Sequence, residues 1–200
     1  GELLLRPEED PQGILYIKTG YVRMYQIFNN GKEITLNIFR PGSYFPMIWA
    51  ITSIINIYYC EAMTPTTIYK APKEDTLQLL KNNPELLLEL TSRMVVGFYN
   101  LISNMELLLS ANASQRVSMI LIILANRFGH ENGNKTAISL TFSHEDIAKL
   151  VSLTRETTSL EMKKLKDLNI INYSRSKIVI NDFERLQAQS GYQQTKFISS

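Results

Sequence analysis

Residues 143–168 read SHEDIAKLVSLTRETTSLEMKKLKDL, and their punctuation places two helices around a short turn. Ser143 is a natural N-cap, and Glu145 and Asp146 suit the positive end of the helix it opens. Ile147, Ala148 and Val151 line one face of that short helix. A turn at Ser152-Leu153 follows, and Thr154 caps a second helix reaching about Asn169. Ile170–Tyr173 and Ile178–Ile180, joined by Ser174-Arg175-Ser176-Lys177, then read as a two-stranded wing. Helix, turn, longer helix and hairpin make a winged helix-turn-helix, a motif whose second helix enters the DNA major groove.

The phase of that second helix sorts its residues. With Thr158 innermost, ~100° per residue carries Met162 and Leu165 to the same buried side. Glu156, Leu160, Lys163 and Asp167 fall opposite, Arg155 projects from the helix start, and Lys163, Lys164 and Lys166 suit phosphates. Charge agrees. The whole chain carries a formal +2, but residues 1–111 hold 9 basic against 11 acidic residues, and residues 112–200 hold 12 against 8. Between Lys149 and Lys177 the balance is 7 to 3, which points the C-terminal part at a polyanion.

Working outward, Asn112 caps a helix reaching about Phe128, Gly129–Asn134 reads as a polar loop, and Ala137–Leu140 as a strand. Upstream, Lys81-Asn82-Asn83-Pro84 breaks a short helix and Pro84 or Glu85 opens a longer one. Leu87, Leu90, Met94, Phe98, Leu101, Met105 and Leu108 recur there at steps of three and four, the seam of a coiled coil. Such a helix is longer than a small roll can cover, so its stripe is expected to pair with a second copy; a core helix packed within its own chain is the alternative.

Residues 1–75 read as all-β. Leu3–Leu5, Gly13–Ile17, Tyr21–Ile27, Glu33–Ile38 and Thr66–Lys70 are short runs bounded by turns at Gly20, Asn29-Asn30-Gly31 and Pro41-Gly42. Evenly spaced short strands suggest a small barrel or roll. The fold class expected is therefore α+β, with a roll over residues 1–80, a long dimerisation helix over 81–111 and a winged helix-turn-helix over 112–200.

Several function classes are excluded by composition. A single cysteine, Cys60, rules out a disulfide framework, a self-ligated iron–sulfur cluster and a Cys-based zinc site. His130 and His144 are the whole histidine complement, read here as loop and cap, and they supply little for a metal enzyme. No metal site and no catalytic set is assigned, and an enzyme is not expected. The longest apolar runs, Phe45–Ile55 and Met119–Ala125, are too short to span a bilayer, and no signal peptide opens the chain. A cytoplasmic protein with no membrane partner is expected. The chain starts at Gly1 without a methionine, and an upstream piece is expected.

Ser143-His144-Glu145-Asp146-Ile147-Ala148, Thr154-Arg155-Glu156-Thr157-Thr158-Ser159, Leu165, Leu168 and Ile170-Ile171 resemble the DNA-binding domain of the CRP/FNR superfamily of bacterial transcription regulators. Gly13-Ile14-Leu15-Tyr16-Ile17-Lys18-Thr19-Gly20-Tyr21-Val22, Asn30-Gly31-Lys32-Glu33 and Arg40-Pro41-Gly42 are similar to that family's effector roll. The resemblance covers nearly the whole chain, in the family's order of roll, long helix and winged helix. It implies a dimer on a palindromic DNA operator, with RNA polymerase as a protein partner. It implies that Arg155 and Glu156 read base edges, Arg on guanine and Glu on cytosine. Ser159 matches a base-contacting serine of the FNR branch. Leu160 stands where members often carry a second reading arginine, and a thymine methyl is its best partner. Thr154, Thr157, Lys163, Lys166, Arg175 and Lys177 are the expected phosphate contacts. The other reading is a ligand-binding or interaction module whose winged helix contacts a protein.

Members that bind cyclic nucleotides use a Gly-Glu pair and an arginine. Pro46 and Met47 hold the pair's positions here, and the arginine position falls near Asn56. A phosphodiester without a cation is poorly compensated, so a cyclic nucleotide is not expected. The oxygen-sensing branch needs a cysteine cluster, so an iron–sulfur cluster is not expected either. Tyr44, Phe45, Met47, Trp49, Tyr58, Tyr59 and Met63 remain, either lining a pocket for an apolar or aromatic effector or simply filling the roll. Cys60 reads as a buried small hydrophobe rather than a redox sensor.

Overall fold

Along Ile14–Thr19, Leu15 and Ile17 turn into a core while Tyr16 and Lys18 are exposed, the alternation of a strand with one buried face. A computed structural model describes residues 1–191, apart from the side chains of residues 100, 103, 104, 106–110 and 132. Strands β1 (Leu3–Leu5), β2 (Ile14–Thr19), β3 (Val22–Ile27), β4 (Glu33–Phe39), β5 (Tyr44–Phe45), β6 (Tyr59–Ala62) and β7 (Thr67–Ala71) form two antiparallel sheets. Their orders are β1-β6-β3-β4 and β5-β2-β7. Leu5, Ile17, Val22, Phe45 and Cys60 form the core, with Phe39 stacked on Phe45 at 4.8 Å between ring centroids. Gly31, at φ 78°, closes the β3–β4 hairpin where the Asn-Asn-Gly run predicts it.

The region is not all-β, as its sequence suggests. Helix α1 (Met47–Thr52) interrupts it, and only Ala50 of its six residues is buried, so no helical period is visible in the sequence. Two short strands, β5 and β6, also escape the pattern reading. Helices α2 (Lys73–Asn82) and α3 (Pro84–Ser110) follow, separated at Asn83. At 27 residues α3 is about 40 Å long. Leu87, Met94, Phe98, Leu101 and Met105 are exposed along it, whereas Leu90 is buried, and the side chain of Leu108 lies outside the described residues. The chain divides into two compact units inside this helix, between Ser92 and Arg93.

The second unit is built on α4 (Ala113–Phe128), where Asn112 and Gln115 cap each other reciprocally at 3.0 and 2.9 Å. The expected polar loop after it is a hairpin, β8 (Gly129–Asn132) and β9 (Lys135–Ile138), turned at Gly133 with φ 62°. Its residues are polar because β8 is an edge strand, held by backbone pairing to β9. Then come α5 (His144–Val151), α6 (Arg155–Asp167), β10 (Ile171–Ser174), β11 (Lys177–Ile180) and α7 (Phe183–Ser190). The expected two-stranded wing is one end of a four-stranded sheet in the order β10-β11-β9-β8. Helix α7 has no counterpart in the sequence reading. Asp182 caps it, and Leu186 is its one fully buried apolar anchor, packed in the unit whose core holds Val117, Leu121, Ile147, Met162 and Leu165.

Candidate nucleic-acid interface

Helix α6 begins at the Thr154 cap, whose side-chain oxygen accepts from the Thr157 backbone N–H at 3.2 Å. The Thr154 hydroxyl donates to Thr157 Oγ1 at 3.0 Å, so both threonines expected at phosphates are engaged in the cap. Thr158, Met162 and Leu165 are buried, as the phase predicts, and Thr158 donates to the Thr154 carbonyl at 2.9 Å. Arg155, Glu156, Lys163 and Lys166 are exposed, and Leu160 is 61% exposed. A leucine this open contributes little to the core. Helix α6 thus presents a cation, an acceptor and an apolar side chain to solvent from one surface.

A connection the sequence does not reveal crosses from α5. Ser143 caps α5, and its partner is Asp146, whose Oδ2 lies 2.6 Å from Ser143 Oγ. His144, read as part of the cap, instead turns its ring to α6: Nδ1 lies 2.8 Å from Ser159 Oγ. The ring also meets Tyr173 of the wing edge-on at 5.1 Å. Partial burial, and then the Arg155 guanidinium, hold its pKa below the usual histidine value. His130, the other histidine, lies on β8 with Nδ1 3.2 Å from Ser139 Oγ. One patch therefore joins α5, α6 and β10 through His144, Ser159 and Tyr173.

The lysines divide by what they touch. Lys166 Nζ sits 4.7 Å from the centroid of Tyr173, a cation–π contact that sets it beside the wing. Lys164 Nζ is bonded at 2.7 Å to Glu161 Oε1. Glu161 is 8% exposed, and its Oε2 is buried without a hydrogen-bond partner. Sequence reasoning passed over Glu161, although it stands about 60° from Thr158 in helical phase and so belongs to the buried side. At the wing tip Arg175 and Ser176 form a two-residue turn with φ 49° and 64°, between the paired Ser174 and Lys177. Both backbones are left-handed, the geometry that Asn-Gly adopts without strain.

In the first unit the expected effector residues do not form one lining. Phe45 is in the core, Tyr59 stacks on Tyr25 at 5.1 Å, and Trp49 lies under Lys73, whose Nζ is 4.7 Å from its ring. A surface concavity takes Trp49, with Glu8, Glu9, Asp10, Lys73 and Glu74 around it, but not Tyr44, Met47, Tyr58 or Met63. Asn56 is nearly buried and spends its amide donors on the carbonyls of Arg6 and Tyr58, at 3.0 and 2.7 Å. Arg23 is bonded to Glu33 and, at 2.9 Å, to Glu61, so its charge is already met. Cys60 is 3% exposed, and burial pushes its thiol up to about 12. Among the described residues no group of three His, Cys, Asp or Glu is placed to hold a metal ion, and no helix is long and apolar enough to cross a membrane.

The family model for the cyclic nucleotide-binding domain matches residues 1–83, and that for the Crp-like helix-turn-helix domain matches residues 115–189. The global nitrogen regulator of Synechocystis sp. is 26% identical over 185 residues, covering 92% of this chain and 82% of that protein. The anaerobic regulatory protein of Haemophilus influenzae is 24% identical over 196 residues, 98% of this chain and 76% of its own. Two solved structures share the fold. A transcriptional regulator of the CRP family from Thermus thermophilus matches with a TM-score of 0.80 at 21% identity, over 96% of this chain and 94% of that one. FixK2 from Bradyrhizobium japonicum matches with a TM-score of 0.81 at 20% identity and the same coverage. The order of sheet domain, long helix and winged helix-turn-helix, together with these relatives, places the chain in a class of regulators rather than enzymes: it belongs to the CRP/FNR family of transcription regulators.

Proposed function

We propose that the protein acts as a homodimer on double-stranded DNA, reading a palindromic operator with α6 of each copy. One observation carries this reading: α6 buries Thr158, Met162 and Leu165 and leaves Arg155, Glu156, Leu160 and Lys163 open to solvent. Arg155 and Glu156 suit a G·C pair, Leu160 suits a thymine methyl, and Ser159 lies on the same helix beside them. Lys163, Lys166, Arg175 and Lys177 supply phosphate contacts. Thr154 has given its hydroxyl proton to Thr157, whereas Thr157 accepts that bond and keeps its own proton to donate to a phosphate oxygen.

The dimer is supported by the exposed stripe of Leu87, Met94, Phe98, Leu101 and Met105 on α3, which water would otherwise cover. A two-fold dimer requires half-sites about one helical turn apart. The sheet domain senses an effector that is neither a cyclic nucleotide nor an iron–sulfur cluster. Asn56, at the phosphate position, is neutral and already bonded to backbone, so it offers no counter-charge. We take the effector to be a small apolar or aromatic molecule; the concavity at Trp49, ringed by Glu8, Glu9, Asp10, Lys73 and Glu74, does not itself select for one. RNA polymerase is the protein partner, and the cytoplasm the place of action.

Selection of duplexes from a genomic fragment library by the purified protein tests the reading. The expected result is an enriched inverted repeat at moderate salt. No sequence-dependent retention, with or without cell extract, overturns it in favour of a protein-binding winged helix.

A further inference from the structure

The Ser159 hydroxyl has one proton to give, and His144 decides where it goes. His144 Nδ1 and Ser159 Oγ are 2.8 Å apart, a full hydrogen bond whose direction is set by the ring. Where Nδ1 is bare, it takes the hydroxyl proton, and Oγ turns only lone pairs outward. Where Nδ1 carries a hydrogen, the ring donates, Oγ accepts, and the hydroxyl proton is free to point outward. These two states recognise different base edges. An acceptor fits adenine N6 or cytosine N4, whereas a donor fits guanine N7 and O6, thymine O4 or adenine N7. Cytosine is therefore read by the first state alone, and guanine and thymine by the second alone.

Resting on the DNA-binding reading above, we propose that His144 is a specificity-determining residue, switching Ser159 between acceptor and donor at one base pair of each half-site. The ring is fixed for the task. It spans from the first turn of α5 to Ser159 on α6 and is braced by Tyr173 on β10 at 5.1 Å. The charged and titratable groups around it are Arg155 from α6, Tyr173 from β10 with Lys166 over that phenol ring, and Glu145 and Asp146 on its own helix. Asp146 is turned onto Ser143 and does not answer the imidazole charge.

The direction in pH follows from these neighbours. Burial and Arg155 favour the neutral ring in the free protein, and of its two tautomers the switch requires the one with Nδ1 bare, accepting from Ser159. DNA phosphates brought against the patch favour the imidazolium, in which both nitrogens carry hydrogens and Nδ1 must donate. Acidification therefore moves the selected base from cytosine, which offers only a donor, toward guanine or thymine, which offer only acceptors, and protons are taken up as DNA binds.

The test is duplex selection from a randomised inverted-repeat library at pH about 5.5 and about 8. It is run with the native protein, His144→Phe and Ser159→Ala. The native protein is expected to change its preference at one symmetric base pair by roughly threefold to tenfold, the worth of one neutral hydrogen bond. Both variants lose that change, and Ser159→Ala also loses the preference itself. A selected operator that is the same at both pH values, or a pH effect that survives in a folded His144→Phe, overturns the switch while leaving DNA reading intact. No selected operator at either pH overturns DNA reading and the switch together. Should His144→Phe fail to fold, Ser159→Ala and the native pH series decide the matter without it.

Discussion

Lys164 reaches back across one turn of α6 to Glu161, Nζ to Oε1 at 2.7 Å, and so one lysine of this helix answers a buried carboxylate. The bond is lopsided. Lys164 is largely exposed, while Glu161 carries a second oxygen that is buried with no partner. Such a carboxylate costs more to desolvate than one exposed lysine returns. Glu161→Leu is therefore expected to raise unfolding free energy by about 1–2 kcal/mol in denaturant titrations. A loss of stability would mean that the unmatched oxygen has a partner the protein needs. Base preference should not change, because Glu161 faces away from the groove.

The wing tip allows a separation of fold from binding. Arg175 and Ser176 hold left-handed backbones that cost them about 1 kcal/mol each relative to glycine-compatible residues. The double substitution Arg175→Asn, Ser176→Gly should raise the melting temperature and at the same time weaken all DNA sequences alike, with a flatter salt dependence. A change confined to one base pair would make Arg175 a base reader instead.

Along α3, two positions of the same seam should behave oppositely. Phe98 is 65% exposed and Leu90 is 4% exposed. Phe98→Glu is expected to give a folded monomer in sedimentation velocity that no longer retains the operator. Leu90→Glu should instead lose stability by ~2–5 kcal/mol, as buried leucines do. A Phe98→Glu dimer at micromolar concentration would rule out the α3 stripe as the interface.

Cys60 gives a pH prediction with a definite sign. Its thiol stays protonated in the fold up to about 12, whereas an unfolded thiol ionises near its ordinary value of 9.0. The unfolded state loses its proton first, so the contribution of Cys60 to stability is full below pH 9 and declines as the pH rises from there toward 12. Iodoacetamide at pH about 8 should label Cys60 only at the rate of unfolding. Rapid labelling of native protein would show an open thiol.

On α6, Arg155→Ala should cost ~1–3 kcal/mol at one G·C pair and relax specificity there. Lys163→Ala should weaken every sequence and reduce the salt slope by about one. Leu160→Ala should reduce only the thymine preference. An unchanged preference in that variant would return Leu160 to ordinary surface.

Local signals were legible where a residue acts on its own neighbours. The caps at Asn112, Ser143 and Thr154, the Asn-Asn-Gly turn and the inward phase of Thr158, Met162 and Leu165 all follow from short-range chemistry. Elements held by tertiary contact were not. Helix α1 buries Ala50 alone and α7 depends on Leu186, so neither repeats an apolar residue often enough to declare its period. Strand β8 is polar and exists through its pairing with β9. The His144–Ser159 bond spans 15 residues and leaves no pattern in the sequence.

The four-stranded sheet under the wing bears on how quickly and tightly a groove can be gripped. An isolated hairpin is marginal in water and would have to stiffen upon contact, losing about 1–2 kcal/mol of backbone entropy per residue ordered. Here β11 is an interior strand, paired with β10 on one side and β9 on the other, and the Phe142 N–H donates to the Ser176 carbonyl at 2.8 Å. The tip is already rigid before it meets a partner. Arg175 and Lys177 therefore arrive as a preorganised pair of charges, and docking them forfeits side-chain freedom without also freezing a loop.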